Sequence, residues 1–120
     1  MGLINKFFPE LEGQLIGRTV RAPVDHTSYL TCSFEVSHRI DRDSVLSCLA
    51  NTKIAPTVLG MDVEPLVSSD YVTDPRSCVI DGTSVRVIDG STIFLSAWYN
   101  NEYAFASRMI DIASKINETL

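Results

Sequence analysis

Ser28-Tyr29-Leu30-Thr31-Cys32-Ser33-Phe34-Glu35-Val36 is the clearest regular stretch in the chain, and its reading decides the fold. Leu30, Cys32, Phe34 and Val36 alternate with Tyr29, Thr31, Ser33 and Glu35. Successive side chains of a strand point to opposite faces, so the alternation predicts a sheet with one well-packed face. Downstream, residues 85–88 and 92–98 read as two more strands, separated by Asp89-Gly90, the dipeptide that suits a two-residue hairpin turn. Ile93, Phe94 and Leu95 follow one another without a polar break, as expected of a central strand covered on both faces. Residues 78–80 make a further short strand. Residues 18–24 read as another, with Val20, Ala22 and Val24 on one face and Thr19, Arg21 and Pro23 on the other.

Helices are fewer. Leu3 to Phe8 reads as the end of a helix stopped by Pro9, and Gly13 and Gly17 bracket a turn. Asp41 or Asp43 caps a helix running through Val45, Leu46, Cys48 and Leu49 to about Asn51. Between Lys53 and Pro75, prolines and Gly60 leave room only for turns and short extended pieces. The chain closes with an amphipathic helix. Phe105, Met109, Ile112 and Ile116 fall on one side and Arg108, Asp111, Lys115 and Glu118 on the other, with Asp111 and Lys115 spaced to pair. The predicted fold class is α+β, a mostly antiparallel sheet with helices packed on one face.

Composition fits one soluble globular domain: 120 residues, 45% hydrophobic and 21% charged. Ten basic against 15 acidic residues give a net charge of −5, with the basic residues scattered. Binding to nucleic acid or to an anionic membrane surface needs a basic field, so neither partner is expected. No stretch approaches the roughly 20 apolar residues that span a bilayer. Met1-Gly2-Leu3-Ile4-Asn5-Lys6 lacks the apolar core of a signal peptide, and Lys6 stands where a myristoylation site wants Ser or Thr. Cys32, Cys48 and Cys78 form no C-x-x-C and cannot all pair, which favours a reducing, cytoplasmic setting.

Few residues carry chemistry on their own. The glycines nowhere form a phosphate-cradling loop, so the chain is not expected to hold a dinucleotide alone. Cys32 and Cys48 read as small buried hydrophobes, as does Cys78 at the start of a strand. His26 and His38 have no cysteine or carboxylate at ligand spacing, so no metal site is expected. Asp62, Glu64, Asp70, Asp74 and Asp81 read as solvated or capping acids. Arg21 differs: an arginine inside a strand must meet water, a carboxylate or a bound anion. Asn100-Asn101-Glu102 reads as a helix cap with an acid in the first turn, or as a turn presenting a side-chain amide to a ligand. Residue physics leaves both choices open.

Four motifs then occur in order: Phe8-Pro9-Glu10-Leu11, Val20-Arg21-Ala22-Pro23, Leu66-Val67-Ser68-Ser69-Asp70, and Trp98-Tyr99-Asn100-Asn101-Glu102-Tyr103 followed by Ser107-Arg108. Together they resemble the phosphorylating glyceraldehyde-3-phosphate dehydrogenase family over nearly the whole chain. Phe7-Phe8-Pro9, Asp74-Pro75-Arg76-Ser77 leading to Ile80-Asp81-Gly82-Thr83, and Phe105-Ala106-Ser107-Arg108-Met109 look most like the erythrose-4-phosphate dehydrogenase branch. The resemblance implies an NAD-dependent oxidoreductase in which a cysteine thiolate attacks a sugar-phosphate aldehyde and hydride passes to the nicotinamide. It makes Arg21 the substrate-binding residue, holding a phosphate, and Asn101 the cofactor-binding residue, holding the nicotinamide carboxamide.

In that family the nucleophilic cysteine and its histidine partner lie upstream of the matched region. Cys32, Cys48, Cys78, His26 and His38 therefore take neither role. Asn100 replaces the usual Asp, and Ala104 a usual Gly; a positive φ at Ala104 would cost about 1 kcal/mol. The expectation is that residues 1–120 form the C-terminal portion of the catalytic domain, without the dinucleotide-binding domain and inactive alone. The alternative is a non-enzymatic family remnant or split-gene subunit acting in assembly. The partners implied are the sugar-phosphate substrate and either further copies, since the family packs its sheets together in a tetramer, or a complementary N-terminal half.

Overall fold

The computed structural model describes residues 3–24 and 26–119; the Met1-Gly2 start lies outside them. Four strands, Ser28–Glu35 (β1), Leu59–Asp62 (β2), Cys78–Ile88 (β3) and Thr92–Tyr99 (β4), form one sheet in the order β1-β4-β3-β2. Three helices accompany them: Ile4–Phe7 (α1), Arg42–Ala50 (α2) and Tyr103–Thr119 (α3). β1 and β3 both run antiparallel to β4, while β2 is parallel to β3. The α+β class with a mostly antiparallel sheet agrees with the strand-dominated pattern, but the apolar face of β1 is not well packed, since Leu30 and Phe34 remain exposed.

Asp89 and Gly90 take left-handed backbone angles, φ 52° and 70°, and close the β3–β4 hairpin. That geometry matches the twist of the flanking strands and is easy for Asp-Gly. β4 is central, and its register sets the two faces. Ile93, Leu95 and Ala97 stand opposite Phe34, Cys32 and Leu30 of β1, with Val87 and Ile80 of β3 on the far side. Over this face lies α2, started by Asp41, whose side chain accepts the Ser44 N–H at 2.8 Å. Val45 of α2 joins Ile80, Val85, Ile93 and Ala97 in the buried core.

The structure corrects several expectations. Residues 78–80 and 85–88 belong to one strand, with a register shift between Asp81 and Arg86. The bulge leaves backbone groups that side chains must satisfy. Arg42 of α2 donates from Nε to the Val85 carbonyl and from Nη2 to the Gly82 carbonyl, both at 3.1 Å. Ser84 Oγ accepts the Ser96 N–H at 2.8 Å. Gly82 inside the strand was the sequence sign of this irregularity.

Residues 18–24 form no strand; Val20 and Val24 are exposed, because the segment has no partner strand among the described residues. β4 is covered by the core on one face, but on the other Phe94 remains exposed. Cys48 is exposed on α2 rather than buried, whereas Cys32 and Cys78 are half-buried and burial raises both thiol pKa values. Asp111 pairs with Arg108 at 2.8 Å. Ala104 sits buried in the first turn of α3 without a positive φ, so the expected strain is absent. α3 does not lie on the sheet: every residue from Met109 to Thr119 is exposed.

Candidate functional site

The turn after β4 is built from the motif that the sequence left ambiguous between cap and ligand contact, and the structure divides the work between neighbours. Asn100 is buried and is the cap. Its Oδ1 accepts the backbone N–H groups of Glu102 and Tyr103 at 2.8 and 2.7 Å, satisfying donors at the start of α3. Its Nδ2 donates to the Val72 carbonyl at 3.0 Å. Asn101 is exposed on the turn, and its side-chain amide makes no hydrogen bond to a described residue.

Everything around Asn101 holds that turn in place. Trp98, three residues earlier, stacks on Tyr71 at a centroid distance of 5.6 Å and lies 4.3 Å from the Tyr29 ring. Tyr71 ends the short 3-10 turn Ser68–Tyr71, which the Leu66–Asp70 motif supplies; Asp70 accepts the Val67 N–H at 2.7 Å. The Tyr71 hydroxyl donates to Asp62 at 3.3 Å, and burial together with that carboxylate pushes its pKa up to about 12. On the other flank, Arg108 donates from Nη1 to the Thr57 carbonyl at 2.6 Å and to Ser77 Oγ at 3.2 Å. Its buried Nε has no partner among the described residues. The base of α3 is thereby tied to the segments that lead into β2 and β3.

Beneath Tyr71, Arg76 bridges Asp62 at 3.1 Å and Asp74 at 2.6 Å. Burial pushes the Asp74 carboxyl up, but the hydrogen bonds from Arg76 outweigh it and hold its pKa below the ordinary carboxylate value. The Arg76 pKa is raised, first by its bond to Asp74. The acids read from sequence as solvated or capping include this half-buried pair. That reading failed because Asp62 reaches Arg76 only once β2 lies beside β3.

Arg21 is exposed in the irregular segment before β1, with no ion pair to a described carboxylate. A guanidinium held this way is available to a phosphate dianion, for which its several fixed donors suit it. The segment is anchored at His26, whose left-handed φ of 61° turns the chain into β1. His26 Nδ1 lies 3.3 Å from Glu102 Oε2. This contact, between two exposed side chains, joins the strand-entry loop that follows Arg21 to the turn that carries Asn101. Nothing in the sequence pattern marks the His26–Glu102 pairing.

Asn101 offers one amide donor and one acceptor, the complement of a carboxamide. No glycine-rich loop opens a helix among the described residues to cradle a pyrophosphate. No group of three or more His, Cys, Asp or Glu side chains is placed to hold a metal ion among the described residues.

A family model described as "Glyceraldehyde 3-phosphate dehydrogenase, C-terminal domain" matches residues 3–101. Among curated proteins the chain is similar to glyceraldehyde-3-phosphate dehydrogenase 3 of Nostoc sp., 39% identical over 112 residues, covering 91% of this chain and 33% of that protein. It is 36% identical over 115 residues to glyceraldehyde-3-phosphate dehydrogenase of Zymomonas mobilis, covering 93% and 34%. Glyceraldehyde-3-phosphate dehydrogenase 2 of Staphylococcus aureus is 30% identical over 117 residues, covering 98% and 34%. The chain thus spans about a third of the length of these relatives.

Proposed function

Since the chain belongs to the glyceraldehyde-3-phosphate dehydrogenase family, through its C-terminal domain, we propose that it is a fragment of an NAD-dependent dehydrogenase acting on a sugar-phosphate aldehyde. The substrate is of the erythrose-4-phosphate or glyceraldehyde-3-phosphate type. Arg21 binds its phosphate, and Asn101 binds the nicotinamide carboxamide. The chain is inactive alone, works in the cytoplasm, and acts together with a complementary N-terminal half in a homo-oligomer.

The observation that supports this most is the division of roles in the turn after β4. Asn100 is engaged on both sides of its amide, and Trp98 is stacked, while Asn101 projects free. Two adjacent asparagines, one spent on folding and one presented, suit a binding turn better than a cap alone. The His26–Glu102 contact brings the loop after Arg21 to the same turn.

The chemistry of each residue follows. Arg21 holds the phosphate end of the substrate by charge-assisted hydrogen bonds and so fixes where the aldehyde end lies. Asn101 orients the carboxamide and thereby selects which face of the nicotinamide ring meets the substrate. NAD, when bound, supplies the hydride acceptor. The nucleophile and base come from outside these residues, as the family resemblance implies; in support, Cys32 and Cys78 are half-buried with raised pKa values, and Cys48 lies on α2, which carries neither Arg21 nor Asn101.

The test is an assay of the 120-residue chain with NAD and either aldehyde phosphate. No NADH above background is expected. Turnover that Arg21→Ala abolishes would overturn the claim that the chain is inactive alone. The second reading, an assembly domain without catalysis, draws on a different observation: the broad apolar surface left uncovered on the sheet and on α3.

A further inference from the structure

We propose that Trp98 and Tyr29, with Asp81 as proton acceptor, form a relay that carries a one-electron oxidation of the indole outward to an exposed phenol. This function is separate from sugar-phosphate chemistry. Trp98 is the only tryptophan in the chain and is partly buried. It stacks on Tyr71 at 5.6 Å, with the ring planes 17° apart, and meets the Tyr29 ring at 4.3 Å. Tyr71 is 3% exposed and Tyr29 47%, so the three rings run from the interior to water.

Packing alone does not ask for this arrangement. Phenylalanine at both positions would supply the same rings, and Tyr29 buries little as it stands. Both tyrosines instead place the hydroxyl on a carboxylate. Tyr29 donates to Asp81 at 3.2 Å, and Tyr71 donates to Asp62 at 3.3 Å. Tyr29 crosses β4 to do so, since it is paired with Trp98 while Asp81 stands opposite Ser96. A phenol yields an electron readily only when its proton has an acceptor, because the protonated phenol radical is a very strong acid.

The two acceptors differ, and the difference sets the direction. Asp62 Oδ2 also accepts from Arg76 at 3.1 Å, so taking the Tyr71 proton would disturb that ion pair. Burial and the Asp62 charge push the Tyr71 pKa up to about 12, and its proton is firmly held. Asp81 has no ion pair among the described residues; its other oxygen accepts from Thr83. The outward path through Tyr29 is the open one.

The steps balance. A small inorganic oxidant of the carbonate radical class takes one electron from Trp98 and leaves as carbonate. Tyr29 passes one electron to the Trp98 radical cation and its proton to Asp81. The indole is restored, and a neutral phenoxyl radical stands at the surface. A small thiol then gives Tyr29 a hydrogen atom and leaves as a thiyl radical, while Asp81 releases its proton to water. An indole radical left in place adds oxygen and loses its ring, three residues before Asn101. A surface phenoxyl is repaired.

Pulse radiolysis of the 120-residue chain in azide solution tests the relay, because azide radicals take one electron from indole and the chain has a single one. Indolyl absorption should decay as phenoxyl absorption rises, at a rate independent of protein concentration. Tyr29→Phe should abolish that rise and prolong the indolyl signal, and Asp81→Asn should slow it. Tyr71→Phe should leave it unchanged, with circular dichroism showing the sheet retained in each variant. An indolyl radical that decays only by encounters between molecules would overturn the proposal. So would a rise that survives Tyr29→Phe, one that disappears in Tyr71→Phe, or a rate indifferent to Asp81→Asn.

Discussion

Gly60 lies under the Arg76 side chain, which occupies the place where a β-carbon on Gly60 would stand. Arg76 is not free to swing away, because Asp62 and Asp74 hold its guanidinium. Gly60→Ala must push a charged group off two carboxylates. The expected cost is about 1–3 kcal/mol, read as a lower urea midpoint with an unchanged slope. An unchanged midpoint contradicts this account of the cluster. Asp74 adds a pH dependence with a definite sign. Its folded pKa is lower than its ordinary 3.8, so its contribution is complete above that value and is lost as pH falls through the folded one. Asp74→Asn should therefore be less stable than the native chain at about pH 6, and the gap should narrow toward about pH 2. A gap that stays constant rules out the carboxylate as the cause.

At this scale the sequence was legible where the partner is local. Asp41 and Asn100 precede helices by the spacing a cap requires, and both cap. Asp62 with Arg76, His26 with Glu102 and Arg108 with Thr57 join residues 14, 76 and 51 positions apart, and nothing in a single chain's pattern marks them. Arg21 and Asn101 were singled out by resemblance to the family, since residue physics left each with two readings.

Elements with a strong local pattern were readable: β1, β4, α2, α3 and the Asp89-Gly90 turn all stand where the pattern put them. Two others failed for the opposite reason. The continuity of β3 across its bulge depends on Arg42 and Ser84 satisfying backbone groups, which periodicity does not show. The segment 18–24 alternates like a strand but has nothing to pair with, and alternation alone does not form a strand. α3 is the informative intermediate case. Its first turn is fixed by Asn100, the buried Ala104 and Arg108, while Phe105, Met109, Ile112 and Ile116 are each more than half exposed. Its exposed part, Met109 to Thr119, is short enough to be marginal as a helix in water without packing. Amide exchange should therefore be slow in β3 and β4, intermediate near Ala104, and fast from Met109 onward. Protection as strong at Ile116 as in β4 would mean that the helix has already found a partner, such as a second copy.

On the scale of the molecule, packing is complete only around β3 and β4. Leu30 and Phe34 on β1, the stripe on α3 and the side chains of Phe7, Ile16 and Val20 are all exposed. No described helix is long and apolar enough to cross a membrane. The proposed fragment reading accounts for these exposed side chains together, since the chain spans about a third of the length of its relatives and further polypeptide would cover such patches.

The most direct test of that claim is NADH production by the 120-residue chain co-expressed with the N-terminal part of the Nostoc relative, assayed with both aldehyde phosphates. The account predicts turnover in the complex and none from either piece alone. It further predicts a loss of about 10–100-fold in kcat/KM for Arg21→Ala, the worth of hydrogen bonds to a charged group, and a raised KM for NAD in Asn101→Ala. A complex that turns over equally well with both residues replaced would contradict it.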